Sequence, residues 1–241
     1  APIRTDDGLL LGTLCGASAR QQAVAPQAES ILRLFSSVIA NFIEREQLVA
    51  ELRQANMQLM AYALTDPLTG LPNRRALYEE LDRLRSRALR DGDSVLVGVV
   101  DLDGFKGIND TYGHQQGDVF LQEIARRLAM AVRTSDMVGR LGGDEFVLIG
   151  PGPALARGDA APGQDAERGD AQEAARSLED RAAAATVGRY QLGDTALPYE
   201  GASVGVVALD PRGLAAEEAV RLADARMYEI KRARKAARTI H

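Results

Sequence analysis

The 241-residue sequence contains no tryptophan, one cysteine and only 5% aromatic residues. One cysteine excludes an intramolecular disulfide, so we expect a reducing compartment, the cytoplasm. We expect that residue, Cys15, to be buried as a small apolar side chain. Apolar residues make up 46% of the chain, which is enough for a core. Because aromatic residues are scarce, this core must be mainly aliphatic.

The sequence also lacks a basic excess and a long apolar run. A net charge of −5 argues against a general nucleic-acid-binding protein. No apolar run approaches the ~20 residues that a membrane-spanning helix needs. The start, Ala1-Pro2-Ile3-Arg4, has no initiator Met and no signal pattern, so we expect a piece of a longer protein. These absences predict no nucleic-acid partner and no membrane segment in this piece.

Residues 1–25 carry the pattern of a β-hairpin. Apolar runs at 3–5 and 9–15 flank Asp7-Gly8, a strong turn signal. Two strands are not stable alone. We therefore expect these residues to be the remainder of a larger sensory domain.

Residues 26–64 are predicted to form one long helix. Pro26 suits a helix start, and no Pro or Gly follows up to residue 64. Steps of three and four residues define a coiled-coil seam in which Asn56 favours a parallel pair of helices. An amphipathic helix packed on its own domain is the alternative. The seam consists of Phe35, Val38, Phe42, Arg45, Val49, Leu52, Asn56, Leu59 and Ala63.

Residues 65–241 form the main predicted domain, because Asp66-Pro67 ends the long helix. A mid-domain hairpin interrupts the alternation of strands and helices, which predicts a mixed sheet with helices packed on it. Residues 150–170, rich in Gly, Ala, Pro and Asp, are predicted to be a mobile surface loop. Helices are expected at 73–89, 117–132, 171–185 and 215–237, and strands at 95–100, 137–141, 146–149 and 202–209.

Two acidic motifs follow predicted strands. Asp101-Leu102-Asp103 ends an apolar strand, where period-2 alternation would place both carboxylates on one face. Gly142-Gly143-Asp144-Glu145-Phe146 forms the tip of a predicted hairpin. Each pattern alone fits a solvated turn. Together, carboxylates from two strand ends could hold divalent ions, and oxygen ligands suit Mg²⁺ or Mn²⁺.

A third motif suggests purine recognition. Asn109 can donate to and accept from a purine edge, and Asp118 can accept from the two N–H groups that guanine has and adenine lacks. The alternative for these residues is a turn residue and a helix N-cap.

The order and spacing of these motifs resemble the GGDEF family of diguanylate cyclases over about residues 62–240. Residues 66–75 resemble its opening signature, and 203–205 and 223–228 resemble its closing ones. The resemblance implies an α+β sandwich of the palm or nucleotidyl-cyclase type, with a mixed central sheet and surrounding helices after a coiled-coil linker. Residues 1–48 are similar to the end of a GAF sensory domain. The implied domains are 1–25 (GAF remainder), 26–64 (signalling helix) and 65–241 (cyclase).

The resemblance also implies roles for individual residues. Asp101, the Leu102 carbonyl and Asp144 would bind metal, with Asp144 as general base and Glu145 as a metal or orienting contact. Lys106, Lys231 and Lys235 would hold phosphates or stabilise charge, although the family usually has Arg at the last position. Asn109 and Asp118 would bind guanine, and His114 would contribute to the nucleotide site.

Arg133 and Asp136 fit the family's R-x-x-D product-inhibition motif, and a surface ion pair is the alternative. The family's supporting Arg is replaced by Asp180, with Arg176 and Arg181 nearby.

The resemblance implies that the protein condenses two GTP into cyclic di-GMP as a homodimer, with product feedback. The competing hypotheses are a catalytically silent receptor for GTP or cyclic di-GMP, and a cyclase that uses ATP. Asp118 argues against ATP, because its carboxylate would repel the acceptor N1 of adenine.

Overall fold

A computed structural model of the chain describes residues 1–5, 7–17, 19, 25–155, 164–212 and 215–239. The chain forms two compact units, Ala1–Ala61 and Tyr62–His241. Within the described ranges, no helix combines the length and the apolar character needed to cross a bilayer.

The first unit contains a hairpin and most of the long helix. Strands β1 (Pro2–Arg4) and β2 (Leu10–Thr13) pair antiparallel, and Gly8 turns the chain with a φ of +91°. The hairpin and the bounds of helix α1 (Pro26–Leu64) agree with the sequence pattern. The expectation for Cys15 is wrong: it is exposed, because it follows the end of β2 in a segment without regular structure.

The predicted seam of α1 is an exposed apolar row. Phe35, Val38, Phe42 and Leu52 are each more than half exposed. The side chain of Leu59, another predicted member, lies outside the described residues. A row of large apolar side chains facing solvent is typical of a helix that pairs with another copy.

A four-stranded antiparallel sheet forms the centre of the second unit, in the order β4-β5-β3-β8. Its topology is the split β-α-β-β-α-β arrangement, in which the hairpin strand β5, and not β4, lies beside β3. The strands of this unit are β3 (Asp93–Asp101), β4 (Met137–Gly142), β5 (Glu145–Ala154), β6 (Gly188–Leu192), β7 (Thr195–Tyr199) and β8 (Ser203–Leu209).

The α+β class and the helix-flanked sheet are confirmed, but the strand directions are less mixed than predicted. The β4–β5 hairpin places a reversed strand next to β3, so every ladder is antiparallel. Among the described residues, parallel pairing occurs at the isolated bridge between Asn73 and Arg140.

Helices cover both faces of the sheet. They are α2 (Arg74–Asp91), α3 (Phe105–Tyr112), α4 (His114–Ala131), α5 (Gln164–Thr186) and α6 (Ala216–Thr239). Val95, Val97 and Val99 of β3 pack towards α2 and α6, whereas Leu96 and Val100 pack towards α4 and α5. Burial on both faces explains why β3 is continuously apolar.

Three parts of this domain differ from the sequence prediction. Residues 105–112 form α3, and α4 begins at His114 because Gly113, with a φ of +82°, separates the two helices. The predicted loop 150–170 is shorter than expected at both ends. Strand β5 pairs with β3 up to Ala154, and α5 begins at Gln164. Residues 156–163 lie outside the described residues. The β6–β7 hairpin was not predicted, although Gly193-Asp194 is a turn signal.

Candidate active site at the end of the central sheet

Three acidic residues lie where β3 ends and where β4 turns into β5. Asp101, the last residue of β3, lies directly opposite Glu145 of β5. Directly opposed residues in an antiparallel pair have Cα atoms about 4.5–5.5 Å apart. Asp144 precedes Glu145 in a turn that Gly143 makes with a φ of +57°. We call Asp101, Asp144 and Glu145 the acidic rim.

The acids of this rim act on one another. Burial, and then the negative charges of Asp144, Asp224 and Asp101, raise the pKa of Glu145 above its ordinary value, against a smaller opposing effect of Arg74. Negative charge is therefore concentrated at the rim, an arrangement typical of sites that receive a cation.

Lys231 of α6 is the cation nearest to Asp101. Its Nζ donates a hydrogen bond of 2.5 Å to Asp101 Oδ1. Burial opposes the charged form, but this hydrogen bond and the charges of Asp101, Asp103 and Asp144 outweigh it and raise the pKa of Lys231. Because Asp101 and Asp144 both act on Lys231 and Glu145, the two aspartates lie in one site.

The donor set at the rim fits Mg²⁺ shared with a substrate. In the part of the chain that the structure describes, no three His, Cys, Asp or Glu residues are placed to hold a metal ion by themselves. Asp101, Asp144 and the Leu102 carbonyl offer two carboxylates and one neutral oxygen. Mg²⁺ is usually held by one or two carboxylates plus substrate phosphates, so these residues suit that role.

Asp103 lies past the end of β3 and has partners of its own. Its Oδ2 accepts a hydrogen bond of 2.8 Å from Ser203 Oγ and pairs with Arg234 Nη1 at 3.2 Å. Asp103 nevertheless stays close to Asp101, because the charges of both act on Lys231 and because Ser203, which binds Asp103, lies opposite Asp101 in the sheet.

The N-terminus of α3 opens beside the rim without a side-chain cap. Gly104 precedes it with a φ of +78°, and among the described residues no side chain bonds the first N–H groups, although the Phe105 N–H donates to the Leu102 carbonyl at 3.2 Å. Lys106 is exposed in this first turn. Uncapped N–H groups with a nearby ammonium suit an anionic ligand such as phosphate.

The structure brings Asn109 and the start of α4 together. Asn109 Oδ1 lies so close to Gly117 that a Cβ there would approach it to 1.9 Å, so a side chain at position 117 would displace the amide. Asp118 follows Gly117 and is exposed, and His114 is exposed as the first residue of α4. Because Asp118 lies inside α4, the N-cap alternative for it is wrong.

Arg140 links the segment that begins the domain to the acidic rim, and sequence reasoning missed it. Its Nη1 bonds both Asp66 oxygens at 3.0 and 3.2 Å, and its Nε and Nη2 bond the Gly143 carbonyl at 3.1 and 2.7 Å. Asp66 also accepts from the backbone and hydroxyl of Thr69. The available signal was a charged residue within a predicted strand, two residues before the Gly pair.

The Arg133–Asp136 turn is a separate feature from the rim. Asp136 Oδ2 accepts from the Arg133 backbone N–H at 3.0 Å and pairs with Arg181 Nη2 of α5 at 3.7 Å, and Ser135 Oγ donates to Oδ1 at 3.2 Å. The Arg133 side chain is exposed. Of the two arginines that the sequence placed near Asp180, Arg181 is therefore the one beside this motif.

Other groups near the rim escaped the sequence analysis. Arg74 and Asp224 act electrostatically on Glu145, and Arg234 binds Asp103. All three lie in or beside the opening and closing signatures, but their contacts depend on how α2 and α6 pack. Lys235 lies exposed on α6, one residue beyond Arg234.

Comparisons with known proteins identify a family and relatives for this chain. The profile of the family described as "Diguanylate cyclase, GGDEF domain" matches residues 63–237. "Diguanylate cyclase DgcP" of Escherichia coli (strain K12) is 40% identical over 231 residues, which are 96% of this chain and 63% of that protein. "Response regulator PleD" of Caulobacter vibrioides (strain NA1000 / CB15N) is 46% identical over 121 residues, 50% of this chain and 27% of PleD.

Solved structures show the same architecture. The crystal structure of the coiled coil and GGDEF domain of DgcB from Caulobacter crescentus, in complex with c-di-GMP, matches with a TM-score of 0.67 and 28% identity over 82% of this chain and 95% of that one. Diguanylate cyclase SiaD from Pseudomonas aeruginosa, in complex with its activator SiaC, matches with a TM-score of 0.59 and 34% identity over 86% of this chain and 72% of that one. The chain, which spans less than two thirds of the length of DgcP, belongs to the GGDEF-domain family of diguanylate cyclases.

Proposed function

We propose that this protein is a Mg²⁺-dependent (or Mn²⁺-dependent) diguanylate cyclase that joins two GTP into cyclic di-GMP and releases two pyrophosphates. The observation that carries the proposal is the acidic rim with Lys231 bound to Asp101. A cation lies against one carboxylate there, beside two further acids, and a site for a metal-bound triphosphate requires groups of both charges.

Three parts of the chain are assigned to GTP. Lys106 and the uncapped start of α3 would hold the phosphates together with Lys231 and Lys235. Asn109 and Asp118 would bond the guanine edge, with His114 beside them. The N1–H and exocyclic amine of guanine match the acceptors of Asp118, which favours GTP over ATP.

Asp101, the Leu102 carbonyl and Asp144 would hold the metal, with Glu145 as a metal or orienting contact. Bound there, the ion would neutralise phosphate charge and lower the pKa of the ribose 3′-hydroxyl. Asp144 would take the 3′ proton. The 3′ oxygen then bonds the α-phosphorus of the other GTP as its pyrophosphate leaves, and the same exchange in the opposite direction closes the ring.

Two domains must face each other, because each GTP attacks the other. The exposed apolar row of α1 supports a homodimer formed through residues 26–64, and residues 1–25 would be the remainder of a GAF domain. Specific activity should therefore rise with protein concentration. A cytoplasmic location belongs to the same proposal, because GTP is a cytoplasmic substrate.

Product inhibition would act through the Arg133–Asp136 turn. The exposed Arg133 guanidinium could bond a phosphodiester or guanine edge, and Arg181 adds positive charge beside Asp136. Arg181 would then take the role of the family's supporting Arg from a different position on the helix.

The test is product analysis by chromatography after incubation with Mg²⁺ and either GTP or ATP. We expect cyclic di-GMP and two pyrophosphates per product from GTP, and no product from ATP. Asp144→Asn should lower the rate by at least about 100-fold. Asp194→Asn, at the exposed tip of the β6–β7 turn, is the matched control and should retain activity.

Two results would contradict the proposal. No product at high protein concentration, with calorimetric binding of cyclic di-GMP, would favour the silent receptor. Equal rates for Asp144→Asn and the native protein would remove Asp144 from the reaction.

A further inference from the structure

Helix α6 presents two cations to two aspartates at the end of β3. Lys231 bonds Asp101 at 2.5 Å, and three residues later Arg234 pairs with Asp103 at 3.2 Å. The first pair belongs to the proposed substrate site. Among the described residues, the second pair makes no hydrogen bond or ion pair with the acidic rim, although the charge of Asp103 acts on Lys231, and the proposed reaction does not use this pair.

Arg234 is anchored more firmly than a surface arginine. Its guanidinium donates to the Ala202 carbonyl and, at 2.9 Å, to the Glu200 carbonyl. Asp103 is only 11% exposed and also accepts from the fully buried Ser203 hydroxyl. One side chain therefore ties α6 to the segment before β8 and to the residues after β3.

Another contact that seats α6 lies earlier in the helix. A Cβ at Gly205 of β8 would come within 2.2 Å of the Met227 backbone nitrogen, so the helix backbone rests directly on that strand. Met227 is buried and fixes the middle of α6. Beyond it, Arg234 bonds the Ala202 and Glu200 carbonyls and pairs with Asp103, while Lys231 bonds Asp101.

We propose that Arg234 is a positioning residue that fixes the rotation of the C-terminal turns of α6, so that Lys231 and Lys235 face the triphosphate. The proposal rests on the function proposed above. At 100° per residue, Lys231 and Lys235 lie about 40° apart around the helix, and Arg234 lies about 60° from Lys231. Anchoring Arg234 therefore sets the direction of both lysines.

The expected kinetic effect is on KM. Contacts to the β- and γ-phosphates exist both before and during attack at the α-phosphorus, so they contribute nearly uniform binding. A lysine that must be ordered at each encounter weakens that binding and leaves the chemical step largely intact. A role limited to stability would lower Tm without changing KM well below Tm.

The experiment compares Arg234→Gln with Arg232→Gln. Arg232 is exposed about 160° around α6 from Arg234, so it shares the helix and the charge but not the contacts. We expect Arg234→Gln to raise KM for GTP about tenfold with kcat within about threefold, and Arg232→Gln to leave both unchanged. Arg234→Lys should recover part of the KM loss.

Asp103→Asn completes the test as a double-mutant cycle. We expect it to raise KM as Arg234→Gln does, and the double variant to add little, because both changes break one contact. Equal KM values for Arg234→Gln and Arg232→Gln would overturn the inference. So would a loss of Tm and kcat at constant KM.

Calorimetric titration with a non-hydrolysable GTP analogue separates this inference from the proposed function. If the native chain binds the analogue but makes no cyclic di-GMP, the proposed function fails. A roughly tenfold weaker Kd for Arg234→Gln than for Arg232→Gln would still support the positioning role, and equal Kd values would overturn it.

Discussion

Two glutamates of the same domain lie in opposite electrostatic surroundings. Glu123 on α4 bonds Arg126 and Arg127, and these contacts, with the Arg126 hydrogen bond first, lower its pKa to about 2 despite some burial. Glu145 at the acidic rim has a raised pKa, through burial and the neighbouring acids. The first carboxylate is stabilised in its ionised form, and the second is not.

The same contrast separates Asp136 from Asp144. The nearly buried Asp136 carboxylate receives a backbone N–H, a hydroxyl and an arginine. Asp144 makes no hydrogen bond or ion pair with any other residue that the structure describes. Carboxylates with partners stabilise the fold, whereas Asp144 and Glu145 keep like charges close together, which costs free energy. Such repulsion is expected at a site where a bound ligand relieves it.

The largest expected effect comes from replacing Arg140, which connects the partnered Asp66 carboxylate to the turn that carries the acidic rim. Arg140→Ala would leave the mostly buried Asp66 without its ion pair and release the Gly143 carbonyl. We expect a loss of about 3 kcal/mol in the free energy of unfolding and a strong loss of cyclase activity. Urea unfolding measures the first. Arg83→Ala, which breaks the exposed ion pair with Glu80, should cost less than about 1 kcal/mol.

Next in size is the contrast between two Asp→Asn changes. Asp136→Asn should cost about 1.5–3 kcal/mol, because charge-assisted hydrogen bonds are lost in a nearly buried place. Asp144→Asn should leave the thermal midpoint unchanged or higher, because it removes an unpartnered charge. Calorimetry at pH 7 compares them. Equal losses of stability would mean that the rim is structural and not open.

The pH dependence sharpens the comparison further. A raised folded-state pKa means that Glu145 holds its proton to a higher pH in the folded than in the unfolded chain. Stability therefore falls as pH rises from the unfolded value, about 4.3, through the folded one. Glu145→Gln should raise Tm at pH 7 and leave it unchanged near about pH 3.5.

Glu123→Gln is the control with the opposite sign. The lowered pKa of Glu123 contributes stability above the unfolded value that is lost as pH falls towards about 2. This variant should lower Tm at pH 7 and flatten the acid-side decline. If both glutamine variants shift Tm in the same direction at pH 7, the electrostatic contrast is wrong.

Sequence reasoning predicted the elements whose cause is local. The continuous apolar run of β3 and the uninterrupted α1 have strong one-dimensional patterns, and both appear where expected. Helix α3 was missed because its eight residues contain a Gly, and its one buried residue, Ile108, gives no periodic signal. The β6–β7 hairpin was missed because its buried aromatic residues contact α4, which is distant in sequence.

The residues of the candidate site likewise fall into two groups: those that the sequence could place and those that it could not. The acids at the ends of β3 and in the β4–β5 turn could be placed near one another because a strand and a hairpin fix their positions. The Arg140–Asp66 and Arg234–Asp103 pairs join residues 74 and 131 positions apart, so they appear only once α2, α6 and the sheet have packed. Residue type alone gave no reason to pair them.

The smallest expected effect concerns a hydroxyl without a partner. Tyr199 Oη is buried and has no hydrogen-bond partner among the described residues. Its ring packs against Phe120 and Tyr190 with centroids 5.0 and 5.8 Å apart. Burial first, and then the charge of Asp103, raises the pKa of Tyr199, so the hydroxyl stays protonated. Phe would keep the ring contacts and remove a donor that the fold does not satisfy.

We therefore expect Tyr199→Phe to leave Tm unchanged or raise it by about 1–2 °C. Tyr190→Phe is the matched control, because Tyr190 Oη donates to the Thr186 carbonyl at 2.6 Å, and its loss should cost about 1 kcal/mol. A loss for Tyr199→Phe as large as that for Tyr190→Phe would show that its hydroxyl is bonded in solution, most simply through a buried water beside Asp103. The region behind the acidic rim would then belong with the partnered groups, and the contrast would be confined to Asp144 and Glu145.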